Sequence, residues 1–172
     1  MDKQVTHSYQ GYTFLSIGLI VLMLLSSCGS RKFRYSSETK AAKAADAMAS
    51  LRSRPLYRFI TDWAGVKYKL GGLDKRGIDC SGFALLLNKE IYGVNLPRRS
   101  ADQAGVIKEK NQQQLEEGDL VFFSFGGNGI DHVGIYLNHG FFVHASTTRG
   151  VIVDDLNLPA YQRVLIKAGP VK

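Results

Sequence analysis

Cys80 stands in Asp79-Cys80-Ser81-Gly82-Phe83, just ahead of the apolar, helix-like stretch Phe83 to Tyr92. A sulfur where a helix begins lies near unpaired backbone N–H groups and the positive end of the helix dipole, which stabilise the thiolate, the reactive form. Two histidines lie farther along in β-like segments. His132 opens His132-Val133-Gly134-Ile135-Tyr136-Leu137, and His144 closes on Gly140-Phe141-Phe142-Val143-His144-Ala145 after the turn Asn138-His139-Gly140. In an antiparallel hairpin two such residues come near each other across the ladder. A cysteine, an imidazole that takes its proton and a polar group that fixes the imidazole's tautomer together perform acyl transfer. On this reading Cys80 is the nucleophile, His132 the base and His144 the third member.

Each residue also has a plainer reading. A lone cysteine at a helix start can be a small buried hydrophobe, and a strand histidine a packed residue. The three together also match the ligand count of a catalytic zinc, but they lack the close ligand pairing of such sites, so no metal is expected. The other two of the four histidines, His7 and His139, receive no role.

The second of the two cysteines, Cys28, follows an apolar run from Phe14 to Leu25 that is too short to span a bilayer, which needs about 20 residues. It fits the apolar region of a signal peptide. Leu25-Ser26-Ser27-Cys28 resembles the lipobox of bacterial lipoproteins, in which the thiol is acylated and the chain is cut just before it. If Cys28 is consumed in this way, Cys80 has no disulfide partner and is a free thiol in an exported protein, where free thiols are unusual.

The elements that must position these residues follow from pattern. Residues 1–27 read as signal peptide and 28–54 as a lipidated N-terminus and polar tether, partly helical in its Ala/Lys-rich part. Residues 55–172 form one compact domain. Leu56, Phe59, Ile60 and Trp63 recur at helical spacing up to Gly65; a glycine-rich loop leads to the Cys80 helix, which Gly93 ends; Pro97 to Ala104 starts a short helix. Strands then follow over Asp119–Phe123, His132–Leu137, Gly140–Ala145, Val151–Val153 and Val164–Lys167. Helices first and strands afterwards describe an α+β fold with an antiparallel sheet. The net charge of +7, concentrated in Arg31 to Arg34, Arg52 to Arg58 and Arg98-Arg99, favours an anionic partner. For an exported chain that means lipid head groups or wall carboxylates rather than nucleic acid.

Six blocks, in order, resemble the NlpC/P60 cell-wall peptidases: Trp63 to Gly72, Asp79 to Phe83, Leu96-Pro97-Arg98-Arg99-Ser100 with Gln103, Gly118 to Phe123, Asp131 to Leu137, and Phe142 to Ser146. The resemblance covers roughly residues 55–168. It implies a papain-like α+β core in which a helix-borne cysteine packs on an antiparallel sheet. The family's cysteine, histidine and third polar residue match Cys80, His132 and His144; Tyr68 matches a tyrosine lining the site, and Asp79 and Ser81 match substrate-contacting positions. Val66-Lys67 replaces the family's common Thr-Pro and alters the loop next to Tyr68.

The implied function is hydrolysis of the γ-D-glutamyl–diamino acid bond or the D,D cross-link of peptidoglycan stems, without cofactor. The implied setting is a bacterial inner or outer membrane, anchored through lipid on Cys28 and facing the periplasm, with an unidentified envelope protein as regulator. Two other functions fit the same features: a non-hydrolytic peptidoglycan-binding lipoprotein, and an amidase or acyltransferase on the same fold.

Overall fold

The computed structural model describes residues 28–172, with side chains from residue 39 onward. The apolar N-terminal run and the Cys28 side chain therefore lie outside the described residues. The chain divides into two compact units, Met1–Ala42 and Lys43–Lys172. In the first, residues 28–42 are helical, within helix α1 (Cys28–Ala49). No helix among the described residues is long and apolar enough to cross a membrane.

In the second unit, helix α2 (Arg54–Trp63) starts where the Ser53 hydroxyl accepts from the Leu56 N–H, with Pro55 in the first turn. A proline there loses nothing, because its missing N–H has no intrahelical partner in any case. Leu56, Phe59, Ile60 and Trp63, at helical spacing, are its buried face. The glycine-rich loop is more ordered than its composition implies, because β1 (Leu73–Asp74) and β2 (Gly77–Ile78) pair within it as a small antiparallel hairpin. Helix α3 (Cys80–Tyr92) follows and ends at Gly93 in the left-handed conformation, φ 68°. Only glycine adopts that geometry without a steric cost from Cβ. A short α4 (Ser100–Gly105) comes next.

Five antiparallel strands make the sheet: β3 (Leu120–Phe123), β4 (His132–Tyr136), β5 (Phe141–Ser146), β6 (Gly150–Asp155) and β7 (Leu165–Gly169), in the order β6-β5-β4-β3-β7. Alternation divides the strand side chains between two apolar clusters. Phe122, Val133, Ile135, Val143, Ala145 and Val151 join Phe59, Phe83 and Leu87 of α2 and α3 in the main core. Val121, Phe123, Phe142 and Ala168 pack with Leu156 and with Tyr161 of the short helix α5 (Pro159–Gln162) in a second cluster.

The α+β class and the order of elements agree with the sequence pattern, while strand ends differ. Strand β6 runs two residues past the Val153 at which the apolar pattern stops. Six register pairs with β5, including Phe142↔Asp154, hold residues of low strand propensity in the ladder.

Candidate active site

Cys80 is the first residue of α3, and the preceding Asp79 caps the helix by accepting from the Gly82 N–H at 2.7 Å. A side-chain oxygen at this position satisfies one of the donors that a helix start leaves open. Asp79 does more than cap. Its Oδ2 also accepts from the Gly71 N–H at 2.7 Å, and Arg98 donates to both oxygens, at 2.9 and 2.6 Å. The Ser81 hydroxyl donates to Asp79 Oδ1 at 3.2 Å and accepts from Arg98 at 2.9 Å. The glycine loop, the helix start and the segment after Pro97 are thus tied to one carboxylate, whose oxygens are occupied by protein donors. The sequence places Arg98 in a basic cluster and in the Leu96 to Ser100 block but assigns it no role; its position after Pro97 at the entry to a short helix was the available signal.

Tyr68, Asp79, Cys80 and Ser81 line a single cleft of about 390 Å³, together with Arg98, Asp131 and the exposed Leu70. His132 and His144 are buried, at 8% and 4% exposure. The pairs Ile135↔Val143 and Tyr136↔Phe142, continued along the ladder, set His144 beside Gly134, so His132 meets it diagonally. Gly134 is required there, since a Cβ would lie 2.5 Å from the Phe142 ring. The two imidazoles are joined by a 2.7 Å contact between His132 Nε2 and His144 Nδ1, with the rings at 89° to each other. The second nitrogen of His144 faces Asp154 Oδ2 at 3.4 Å. Asp154, 1% exposed, is held by Arg149 and by the Tyr161 hydroxyl. Phe123 and Phe125 pack on His132, and Phe142 on His144.

Asp154, Arg149 and Tyr161 were not singled out from the sequence. The signal for Asp154 was an acidic residue directly after the apolar run Val151-Ile152-Val153. It is read as a strand end unless the neighbouring strand's register is known.

Burial dominates the electrostatics. It pushes the Cys80 thiol above its ordinary value; the N–H groups of Val133, Ser81 and Cys80 itself oppose this, and the Asp79 carboxylate adds to it. The expectation that the helix start, together with His132, favours the thiolate is corrected: desolvation outweighs these at a site this enclosed. Burial also lowers His132 to about 3, helped by His144 and opposed by Asp131. His144 is lowered by burial, against the pull of Asp154. Tyr68 is raised by burial and by the neighbouring Cys80 and Asp79, while Arg98 lowers it. At neutral pH the free site therefore holds a thiol and two uncharged imidazoles. Asp79 is raised by burial, yet the donors from Arg98, Gly82 and Gly71 outweigh this and leave it below the usual carboxylate value. Among the described residues no group of three or more His, Cys, Asp or Glu is arranged to hold a metal ion.

The model of the NlpC/P60 family matches residues 65–169. The murein DD-endopeptidase MepS/murein LD-carboxypeptidase of Escherichia coli K12 is 46% identical over 102 residues, 59% of this chain and 54% of that protein. The chain thus spans about half the length of that relative. The probable endopeptidase NlpC of the same organism is 34% identical over 147 residues, 84% of this chain and 91% of that protein. Among solved structures, an NlpC/P60 family protein from Bacillus cereus aligns with TM-score 0.63 at 29% identity, over 68% of this chain and 39% of that one. A helix-borne cysteine on an antiparallel sheet, six ordered sequence blocks and a family match over most of the folded unit converge: the chain belongs to the NlpC/P60 family.

Proposed function

We propose that this protein is a cysteine peptidase that hydrolyses the D,D cross-link between peptidoglycan stem peptides. Cys80 attacks, His132 is the proton acceptor and donor, and His144 orients it. The observation that carries the reading is a free thiol at a helix start, within donor reach of the Val133 N–H, beside a buried imidazole pair. A site that only held wall fragments would need neither the thiol nor the pair. The choice of bond rests on the name of the Escherichia coli relative, a DD-endopeptidase.

The resting site is neutral, so proton transfer from Cys80 to His132 accompanies attack on the scissile carbonyl. The sulfur bonds to carbon while backbone N–H groups at the start of α3 hold the developing oxyanion. The imidazolium of His132 then protonates the leaving amine, and the C–N bond breaks to give a thioester. Water, deprotonated by His132, releases the acid and restores the thiol. Tyr68 and Ser81 face the cleft as substrate contacts, with Arg98 beside them.

Residues 1–27 act in this reading as a lipoprotein signal peptide, 28–54 as the acylated tether and 55–172 as the catalytic domain. Lipid on Cys28 holds the enzyme on an envelope membrane, facing the wall. Uptake of labelled fatty acid into the wild type and its loss in Cys28→Ser test the anchor; soluble, unlabelled mature wild type would exclude it.

The activity is tested by mass spectrometry of wall fragments before and after exposure to the enzyme. Cross-linked dimers are expected to become monomers, and Cys80→Ala to leave them intact. Stem dipeptides in place of monomers would move the cut to the γ-D-glutamyl bond. Equal wall binding by both proteins with no new fragment would identify a binding module instead.

A further inference from the structure

The mechanism above uses three residues and leaves unassigned a carboxylate buried behind them. Asp154 is 1% exposed and lies on β6, opposite Phe142 and diagonal to His144. Arg149, from the β5–β6 turn, donates to both its oxygens, with Nη1 at 3.4 Å and Nη2 at 2.5 Å. The Tyr161 hydroxyl, from α5, donates to Oδ2 at 2.5 Å. Two separate elements converge on one oxygen that also faces a ring nitrogen of His144.

We propose that Asp154 is a positioning residue that fixes the tautomers of both histidines and thereby makes Nδ1 of His132 the atom that takes the Cys80 proton. The reasoning is donor and acceptor counting. An ionised carboxylate only accepts, so His144 Nε2, 3.4 Å from Asp154 Oδ2, carries a proton. A neutral imidazole has one N–H, which leaves the lone pair of His144 on Nδ1. That atom lies 2.7 Å from His132 Nε2, which must therefore be the donor of the pair. The free lone pair of His132 is then on Nδ1. When His132 takes the thiol proton, its positive charge is relayed through His144 toward the Asp154 carboxylate.

Arg149 and Tyr161 hold that carboxylate in place. Without it, Arg149 would sit near His144 as an uncompensated cation, and His144 could present either nitrogen. The inference rests on the assignment of Cys80 and His132 in the proposed function.

The test uses the full chain in detergent. In wild type with ¹⁵N-labelled histidine at neutral pH, His132 is expected to show a protonated Nε2 and an unprotonated Nδ1. The reverse overturns the proposal whatever any variant does. Asp154→Asn can keep an oxygen toward His144, Arg149 and Tyr161, so the tautomers are expected to persist while kcat falls on the order of 10-fold, as the charge is lost. Asp154→Ala removes the acceptor; a mixed His132 tautomer is expected, with kcat down by about 100-fold or more and KM unchanged.

Folding of each variant is checked by thermal melting. If Asp154→Ala does not fold, the wild-type spectrum and Asp154→Asn decide. Wild-type kinetics in Asp154→Asn, or a loss carried by KM alone, overturns the proposal. An inactive wild type with the expected tautomers would instead count against the peptidase reading and leave the proton assignment standing.

The groups facing this cluster that bear on a pH profile are Arg149, Tyr161, His144, His132 and Asp131. Burial and the Asp154 contact raise Tyr161 beyond the working range, and Arg149 is raised by the same carboxylate. Burial lowers both histidines, His132 to about 3, so the acid limb of the profile is expected below the ordinary histidine value, and Asp154→Asn is expected to shift that limb where a purely structural loss would only lower its height.

Discussion

Two buried aspartates stand behind the two reactive groups, each gripped by an arginine and a hydroxyl: Asp79 by Arg98 and Ser81, Asp154 by Arg149 and Tyr161. The chemistry of the grips is alike, but what completes each set differs. Asp79 takes backbone N–H groups from Gly71 and Gly82, so it holds chain in place and presents Cys80 at the helix start. Asp154 faces an imidazole nitrogen, so it bears on where a proton resides. A buried aspartate–arginine pair is thus a fold device or a protonation device according to its remaining neighbour. Removing the first should cost stability before chemistry, and removing the second chemistry before stability.

After the complete loss expected for Cys80→Ala, the largest expected effect lies on the histidine side. His132→Ala should bring release of stem-peptide fragments down by about 10²- to 10⁴-fold, the usual worth of acid–base assistance. His144→Ala should lose less and His144→Gln least, since glutamine keeps a group that can hold His132. If His132→Ala retains more activity than His144→Ala, the base and the orienting residue are exchanged. On the other side, Asp79→Ala should lower stability by roughly 1–3 kcal/mol: a lost cap is worth about 1 kcal/mol, and the stranded Arg98 adds less than a fully buried charge would. Its side chain is 37% exposed and can turn to water. Chemical denaturation measures this, and an unchanged midpoint would remove Asp79 from the fold side of the comparison.

The two sides should also separate by pH. Below the ordinary histidine value of 6.5 the unfolded chain takes up protons that the folded rings refuse, and His132 refuses until about 3. Stability gained from the neutral rings is therefore full above pH 6.5 and falls as pH drops toward 3. Asp79, lowered from 3.8, loses its contribution only below that value. Melting temperature should fall between pH 6.5 and 4.5 in the wild type and in Asp79→Asn, and flatten in the His132→Phe/His144→Phe double variant. A flat wild-type curve over that window would mean that the rings are not buried neutral. The smallest effects should come from the hydroxyls. Ser81→Ala should move the melting temperature more than turnover, and Tyr161→Phe the reverse, each within about tenfold in rate, the scale of one hydrogen bond to a charged group. Equal behaviour of the two variants would erase the distinction.

Short-range rules account for what could be read along the chain. The apolar run after Asp79-Cys80-Ser81-Gly82 marks a helix start, Gly93 its end, and the alternating segments around His132 and His144 a hairpin. Each depends only on residues within a turn or a strand of one another. The α+β class and the closeness of the two histidines follow from that, and the resemblance to the NlpC/P60 family added the match of Tyr68, Asp79 and Ser81 to its cleft.

Three things required the tertiary structure. Arg98 reaches Asp79 across 19 positions, and Asp154 meets Arg149, Tyr161 and His144 from β6, a turn, α5 and β5. Strand alternation tells which face a residue takes but not which residue the next strand sets beside it; that is fixed by register and by the packing of α5. The charge state of Cys80 is the third. The helix start is local and pulls the thiol down, but the burial that outweighs it comes from the tertiary packing that puts Cys80 in the main core cluster.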